Sequence, residues 1–160
     1  MTEQVQQGGC GCGSLRYEVK GEPIFVNNCH CKQCQHQTGS TSVVNAFFET
    51  ERVSITSGDV TEHELVSGSG GPHIMVRCAK CGAAVFSHYP GMGRHGLGLR
   101  VGTLDDSGAF RPDAVIFASE AMPWVAFPDD IPRFETTYRF SEVLPPERLE
   151  RLKTLSARTK

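Results

Sequence analysis

A chain of 160 residues, 39% hydrophobic and 21% charged, has the size and make-up of one soluble globular domain. Its net charge of −2 and pI near 6.3 exclude the broad basic face that general nucleic-acid binding needs to displace counterions. Residues 1–9 carry no apolar core of an export signal, and no apolar run approaches the ~20 residues of a membrane span. The expectation is a cytoplasmic protein acting on small molecules, with neither nucleic acid nor membrane as partner.

In chain order, residues 1–7 are polar and read as a flexible N-terminus ahead of a domain spanning 8–138. Leu15, Tyr17 and Val19 alternate with polar residues and end at the turn Gly21-Glu22-Pro23, which predicts a half-buried strand. Further short strands are predicted at 24–27, 42–48, 53–56, 62–66, 74–77, 83–88, 96–104 and 114–119. Two glycine-rich stretches, 67–71 and 91–98, read as mobile loops. Strands this short and this regularly spaced predict a mainly β fold of antiparallel sheets in a sandwich or barrel-like arrangement. The last segment, 139–160, predicts a helical extension. Pro145 and Pro146 suit a helix start, Leu149, Leu152 and Leu155 share one face, and Glu147 and Arg151 stand four apart in the favourable order.

The seven cysteines fall in three clusters: Cys10-x-Cys12, Cys29-x-Cys31-x-x-Cys34 and Cys78-x-x-Cys81. An odd number in a reducing compartment argues against a disulfide framework and for metal. Zinc suits thiolates and brings no redox chemistry of its own. Seven divides into four and three. Two short pairs on tight turns close one tetrahedron, so Cys10, Cys12, Cys78 and Cys81 are expected to hold a structural zinc. Cys29, Cys31 and Cys34 lie within six residues and are expected to hold a second, open zinc, with the fourth position left to water, substrate or a histidine. His36 is the better placed candidate to close that site, because His30 lies between two ligands. A second site closed in that way would be purely structural. An iron–sulfur cluster would need a fourth cysteine.

The cysteine clusters and their flanks resemble the glutathione-dependent formaldehyde-activating enzyme (Gfa) family, which includes centromere protein V. The resemblance is carried by Gly8-Gly9-Cys10-Gly11-Cys12-Gly13-Ser14-Leu15-Arg16-Tyr17-Glu18 and by Cys29-His30-Cys31-Lys32-Gln33-Cys34-Gln35-His36-Gln37-Thr38-Gly39-Ser40. It continues through Arg77-Cys78-Ala79-Lys80-Cys81-Gly82, Val85-Phe86, Gly102-Thr103-Leu104-Asp105-Asp106 and Pro123-Trp124, over roughly residues 8–135. It implies an Mss4-like (β-tent) zinc-binding fold and the same four-plus-three division of the cysteines. The implied activity is that of S-(hydroxymethyl)glutathione synthase, a carbon–sulfur lyase joining glutathione to formaldehyde. Two positions depart from the family pattern. Arg77 stands where an aromatic residue is common, and the segment opening at Asp113 lacks a histidine that many members carry.

Three thiolates around a divalent ion leave a net negative charge, which weakens its power to acidify water and favours a fourth sulfur ligand. The chemistry expected is a thiol adding to a small carbonyl compound, or the reverse, with orientation as the main source of rate. Thr38 and Ser40 are candidates to donate to sulfur or to a substrate oxygen, or else to stabilise a turn, and Gly39 would admit a close approach. Lys32 either offsets thiolate charge or is exposed. Trp124 either walls a pocket or packs in the core, and Arg94, His95 and Arg100 either meet an anionic substrate or are solvated. No residue is assigned a catalytic role. The competing expectation is a non-catalytic zinc module used for binding or assembly.

Overall fold

The computed structural model describes residues 3–68 and 70–160. In chain order its strands are β1 (Val5–Gly9), β2 (Arg16–Lys20), β3 (Phe25–Cys29), β4 (Val43–Glu49), β5 (Val53–Ser57), β6 (Val60–Val66), β7 (Pro72–Cys78), β8 (Ala84–His88), β9 (Gly96–Arg100) and β10 (Ala114–Ile116). Helix α1 (Lys32–Thr38) lies between β3 and β4, and α2 (Phe140–Val143) and α3 (Pro146–Ala157) end the chain. The fold is mainly β, as expected. The strands form a three-stranded sheet, β1-β2-β5, and a seven-stranded sheet, β10-β3-β4-β9-β8-β7-β6. Pairing is antiparallel except between β10 and β3.

The alternation of side chains places the functional site. Along β4, Ala46 and Phe48 point into the main core, where they meet Tyr17 and Val19 of β2 and Leu99 of β9. That core fills the space between the two sheets. Val43, Asn45 and Phe47 therefore face the other side of the seven-stranded sheet. There the helices cover it, in one cluster of Ile24, Phe25, Phe47, Met92, Leu144 and Leu155, and in another of Cys29, Cys34, Val43, Ala114 and Ile116.

Helix α3 starts at Pro146, with Leu155 fully buried and Leu149 and Leu152 partly buried against the same cluster. Arg148 pairs with Asp113 at 2.6 Å and Arg151 with Glu49 at 2.8 Å, which ties the helix to the ends of β10 and β4. Asp113 also accepts the backbone N–H of Val26 at 2.8 Å, so here it serves as an anchor.

Two expectations are corrected. Residues 5–7, taken as part of a flexible terminus, lie in β1, which pairs with β2 along its whole length. The sequence 91–98, read as a mobile loop, contains the short turn Gly93–His95 and the buried start of β9. Gly96 is there because a Cβ would sit 2.7 Å from Leu155 Cδ2 and 2.8 Å from Met92 Cβ, so the close approach of α3 requires its absence. The stretch 67–71 turns between β6 and β7, and its Ser69 lies outside the described residues. Among the described residues, no helix is long and apolar enough to cross a membrane.

Candidate metal centres and the cavity at the second

The first cysteine pair sits on the turn between β1 and β2. Cys10 N–H donates to the Leu15 carbonyl at 3.1 Å, and Leu15 N–H donates back to Cys10 Sγ at 3.3 Å. The second pair sits on the turn between β7 and β8 with a similar pattern. Cys78 N–H reaches the Ala83 carbonyl at 2.9 Å, and Cys81 N–H points to Cys78 Sγ at 3.5 Å. Each turn thus aims backbone donors at sulfur, which favours thiolate. Donation from Leu15 pulls Cys10 down to about 5. The two turns meet so that all four sulfurs lie within 4.8 Å of one another. Cys10 and Cys12 sulfurs are 3.5 Å apart and those of Cys12 and Cys78 3.9 Å, close to the ~3.8 Å edge of a tetrahedron with metal–sulfur bonds of ~2.3 Å. The donor set fits a tetrahedral thiolate-bound ion such as zinc. Ser14 was missed by the sequence reading. Its hydroxyl lies 3.1 Å from Cys12 Sγ and 3.3 Å from Cys78 Sγ, where its one proton can serve either sulfur.

The remaining three sulfurs come from the end of β3 and the first turns of α1. Cys31 is the N-cap of that helix and its sulfur accepts from Cys34 N–H at 3.4 Å. Cys29, Cys31 and Cys34 sulfurs also lie within 4.8 Å of one another, and this group too can hold a metal ion. Hydrogen bonds that the Cys29 thiol donates to Cys31 and Cys34, with burial, push Cys29 up, whereas accepting from Cys29 pulls Cys31 down. Sulfurs this close cannot all ionise without a cation between them, which is what a metal site of this kind needs. His36 is exposed and no histidine joins the three sulfurs among the described residues. His30 is buried with its ring edge-on to Phe127, at 5.1 Å.

These three cysteines line a cavity of about 380 Å³, walled by Ile116, Phe117, Phe47 and Tyr89, with Asn27, Asn45, Gln37 and His73 supplying polar groups. Among the described residues Glu120 is the one carboxylate side chain in the lining, and it accepts the Lys32 backbone N–H at 2.6 Å. Gln33 holds the β6–β7 turn near the mouth, donating to the Val66 carbonyl at 2.9 Å and accepting from Gly68 N–H at 3.3 Å.

Strand register builds the polar floor. Asn27 of β3 pairs with Asn45 of β4, and Asn45 with Arg100 of β9, so three polar side chains line up across adjacent strands on the helix-covered face. Arg100 is only 5% exposed. It donates to Asn45 Oδ1, to Ser87 Oγ at 3.0 Å, to the Tyr89 hydroxyl at 3.3 Å and to Gln37 Oε1 at 3.5 Å. The expectation that Arg100 is either solvated or a substrate anchor is therefore corrected: it is a buried cation committed to the protein. Its charge acts on Cys34, Tyr89 and His73, and it balances the single negative charge that three thiolates and a divalent ion would leave. His73 is 2% exposed and stacks on Tyr89 at 4.4 Å. Burial and then the Arg100 charge pull it down to about 4, so it is neutral at physiological pH.

The other candidates are not brought to the sulfurs. Thr38 Oγ1 donates to the Cys34 carbonyl at 2.8 Å and accepts Ser40 N–H at 3.2 Å, so both residues finish α1 and its turn. Gly39 is the left-handed residue at that end, and nothing approaches it closely. Lys32 Nζ reaches Gln35 Oε1 at 3.2 Å. Arg94 forms a surface pair with Glu62 at 2.6 Å, and His95 is exposed. Trp124 is 72% exposed, neither core nor cavity wall.

The family model described as glutathione-dependent formaldehyde-activating enzyme matches residues 5–120, which includes all seven cysteines. No curated protein matches the chain. Among solved structures, a crystal structure of a Rhodobacter sphaeroides protein superposes with a TM-score of 0.48 at 18% identity, covering 62% of this chain and 88% of that one.

Proposed function

We propose, for a chain that belongs to the glutathione-dependent formaldehyde-activating enzyme family, a zinc-dependent enzyme of carbon–sulfur lyase type that makes or breaks the adduct of a small thiol with a small carbonyl compound. Cys10, Cys12, Cys78 and Cys81 would hold a structural zinc, and Cys29, Cys31 and Cys34 a second zinc with an open position. The observation that carries the reading is that these three sulfurs, with no histidine among them, open on a cavity of about 380 Å³. Zinc bound there supplies a soft, weakly acidic centre at which a thiol sulfur competes well with water.

The chain's own residues do the rest. Asn27 Oδ1 accepts from the Tyr138 hydroxyl at 2.7 Å and Asn45 Oδ1 accepts from Arg100, which leaves their NH₂ groups as donors to a ligand. Phe47, Tyr89 and Phe117 exclude water and hold sulfur and carbonyl carbon together, where orientation supplies most of the rate. Glutathione, the thiol in the family's description, would sit with its sulfur inside and its carboxylates outside, because no cationic side chain is in the cavity lining among the described residues. The reducing cytoplasm would keep both thiols and ligands in the required state.

With glutathione and formaldehyde mixed at equilibrium, catalytic amounts of the zinc-loaded protein should accelerate their interconversion with S-hydroxymethylglutathione. Magnetisation-exchange NMR reads this directly. An exchange rate unchanged by a protein shown to carry both metal ions would defeat the proposal.

A further inference from the structure

We propose that the Nε2–H of His73 is the hydrogen-bond donor to the carbonyl-derived oxygen of the substrate, a role that rests on the thiol–carbonyl reading of this cavity. His73 lies on β7, five residues before Cys78, and comes to the other metal centre only through the packing of β7 beside β8 and Tyr89. Nothing in its local sequence marks it.

The argument is a chain of donors and acceptors whose direction elementary chemistry fixes. Arg100 has only donors, so the Gln37 atom facing it at 3.5 Å is the carbonyl oxygen, Oε1. The other end of that amide, Nε2, has only donors and lies 3.4 Å from His73 Nδ1. Nδ1 must therefore accept. A neutral imidazole that accepts at Nδ1 carries its proton at Nε2. That Nε2 is buried and has no hydrogen-bond partner among the described residues, while its residue lines the cavity that Cys29, Cys31 and Cys34 share. A buried N–H without a partner is destabilising, a cost that a ligand acceptor in the cavity would recover. Stacking on Tyr89 fixes the plane of the ring, so the donor is preorganised before the substrate arrives.

In the addition, the thiol proton leaves to solvent and a carbon–sulfur bond forms between sulfur and the carbonyl carbon. The displaced π pair of the carbonyl moves onto its oxygen, which takes a proton from water to become the hydroxyl of the adduct. His73 keeps its proton throughout and stabilises the charge that builds on that oxygen. The reverse reaction retraces these moves.

The direct test is ¹⁵N NMR of histidine in the zinc-loaded protein, with and without a mixture of glutathione and formaldehyde as the probe. The expected spectrum shows His73 as the Nε2–H tautomer at neutral pH, with its Nε2–H proton shifted downfield by the adduct. An Nδ1–H tautomer, or a nitrogen shift showing Nε2 bound to the metal as fourth ligand, would overturn the proposal. If the adduct moves the backbone amides of Cys29 and Asn45 but leaves His73 unchanged, the donor role fails and the thiol–carbonyl reading stands. If it moves none of them, that reading itself fails. His73→Phe, which keeps a ring on Tyr89, should lower kcat about 100- to 1000-fold, as for loss of one oxyanion donor, with metal content unchanged. A fall of less than about threefold in a folded, metal-loaded variant would also overturn it.

Discussion

Cys78→Ala is expected to leave the chain without a stable fold at physiological temperature. Cys78 ends β7 and is fully buried, and its sulfur is the one that Cys12 and Ser14 of the opposite sheet approach. The four-sulfur cluster joins the β1–β2 turn to the β7–β8 turn, with Cys12 and Cys78 separated by 66 positions in sequence. A structural zinc contributes folding free energy on the order of 10 kcal/mol in small zinc modules. That is comparable with the entire net stability of a domain, about 5–15 kcal/mol. Losing one ligand leaves three sulfurs that no longer close a tetrahedron, and most of that contribution goes with the ion. Circular dichroism and one-dimensional NMR of the purified variant check this. A cooperative thermal transition within a few degrees of the wild type would show that the cluster does not hold the sheets together.

Cys31→Ala is expected to do the opposite: remove the second metal ion and the activity while the fold persists. Its cluster closes no long loop, since all three sulfurs lie between Cys29 and Cys34. The structural loss is that of an N-cap, the acceptor for Cys34 N–H, worth about 0.5–2 kcal/mol. For a chain of this size that is a fall in Tm of only ~1–8 °C. Metal analysis should find one ion per chain instead of two, and graded chelation of the wild type should likewise release one ion before any loss of near-ultraviolet dichroism. If a single release coincides with unfolding, the two centres are not of different kinds.

The two cysteine clusters that could hold a metal ion were the most legible part of the sequence, because cysteine spacing alone marks them. The mainly β class was legible from alternations such as Leu15, Tyr17 and Val19. What escaped was decided by long-range pairing. Strand β1 has no apolar alternation and exists because β2 offers it an edge. Helix α1 buries little besides Cys34 and Gln35, and it is started by a cysteine N-cap that no propensity scale flags. Arg100 read as solvated or as a substrate anchor, yet its register beside Asn45 buries it in the polar floor, where its charge acts on Cys34. His73 carries no signal in its own stretch of sequence, because its approach to Cys31 depends on the order of strands in the large sheet. A polar residue at an inward position, such as Asn45 between Val43 and Phe47, was the one signal that could have pointed to a polar floor. Of the two roles open to Thr38 and Ser40, the structure shows the turn-stabilising one, and Trp124 takes neither the pocket nor the core role.

The account turns on whether a substrate thiol reaches the metal held by Cys29, Cys31 and Cys34. Replacing that metal with cobalt(II) makes the coordination visible through the sulfur-to-metal charge-transfer band. Millimolar glutathione should intensify this band in the wild type and leave it unchanged in Cys31→Ala, whose remaining cobalt sits in the four-sulfur centre. A cobalt-loaded wild-type spectrum that millimolar glutathione does not alter would contradict the thiol chemistry at its first step and favour a non-catalytic zinc module.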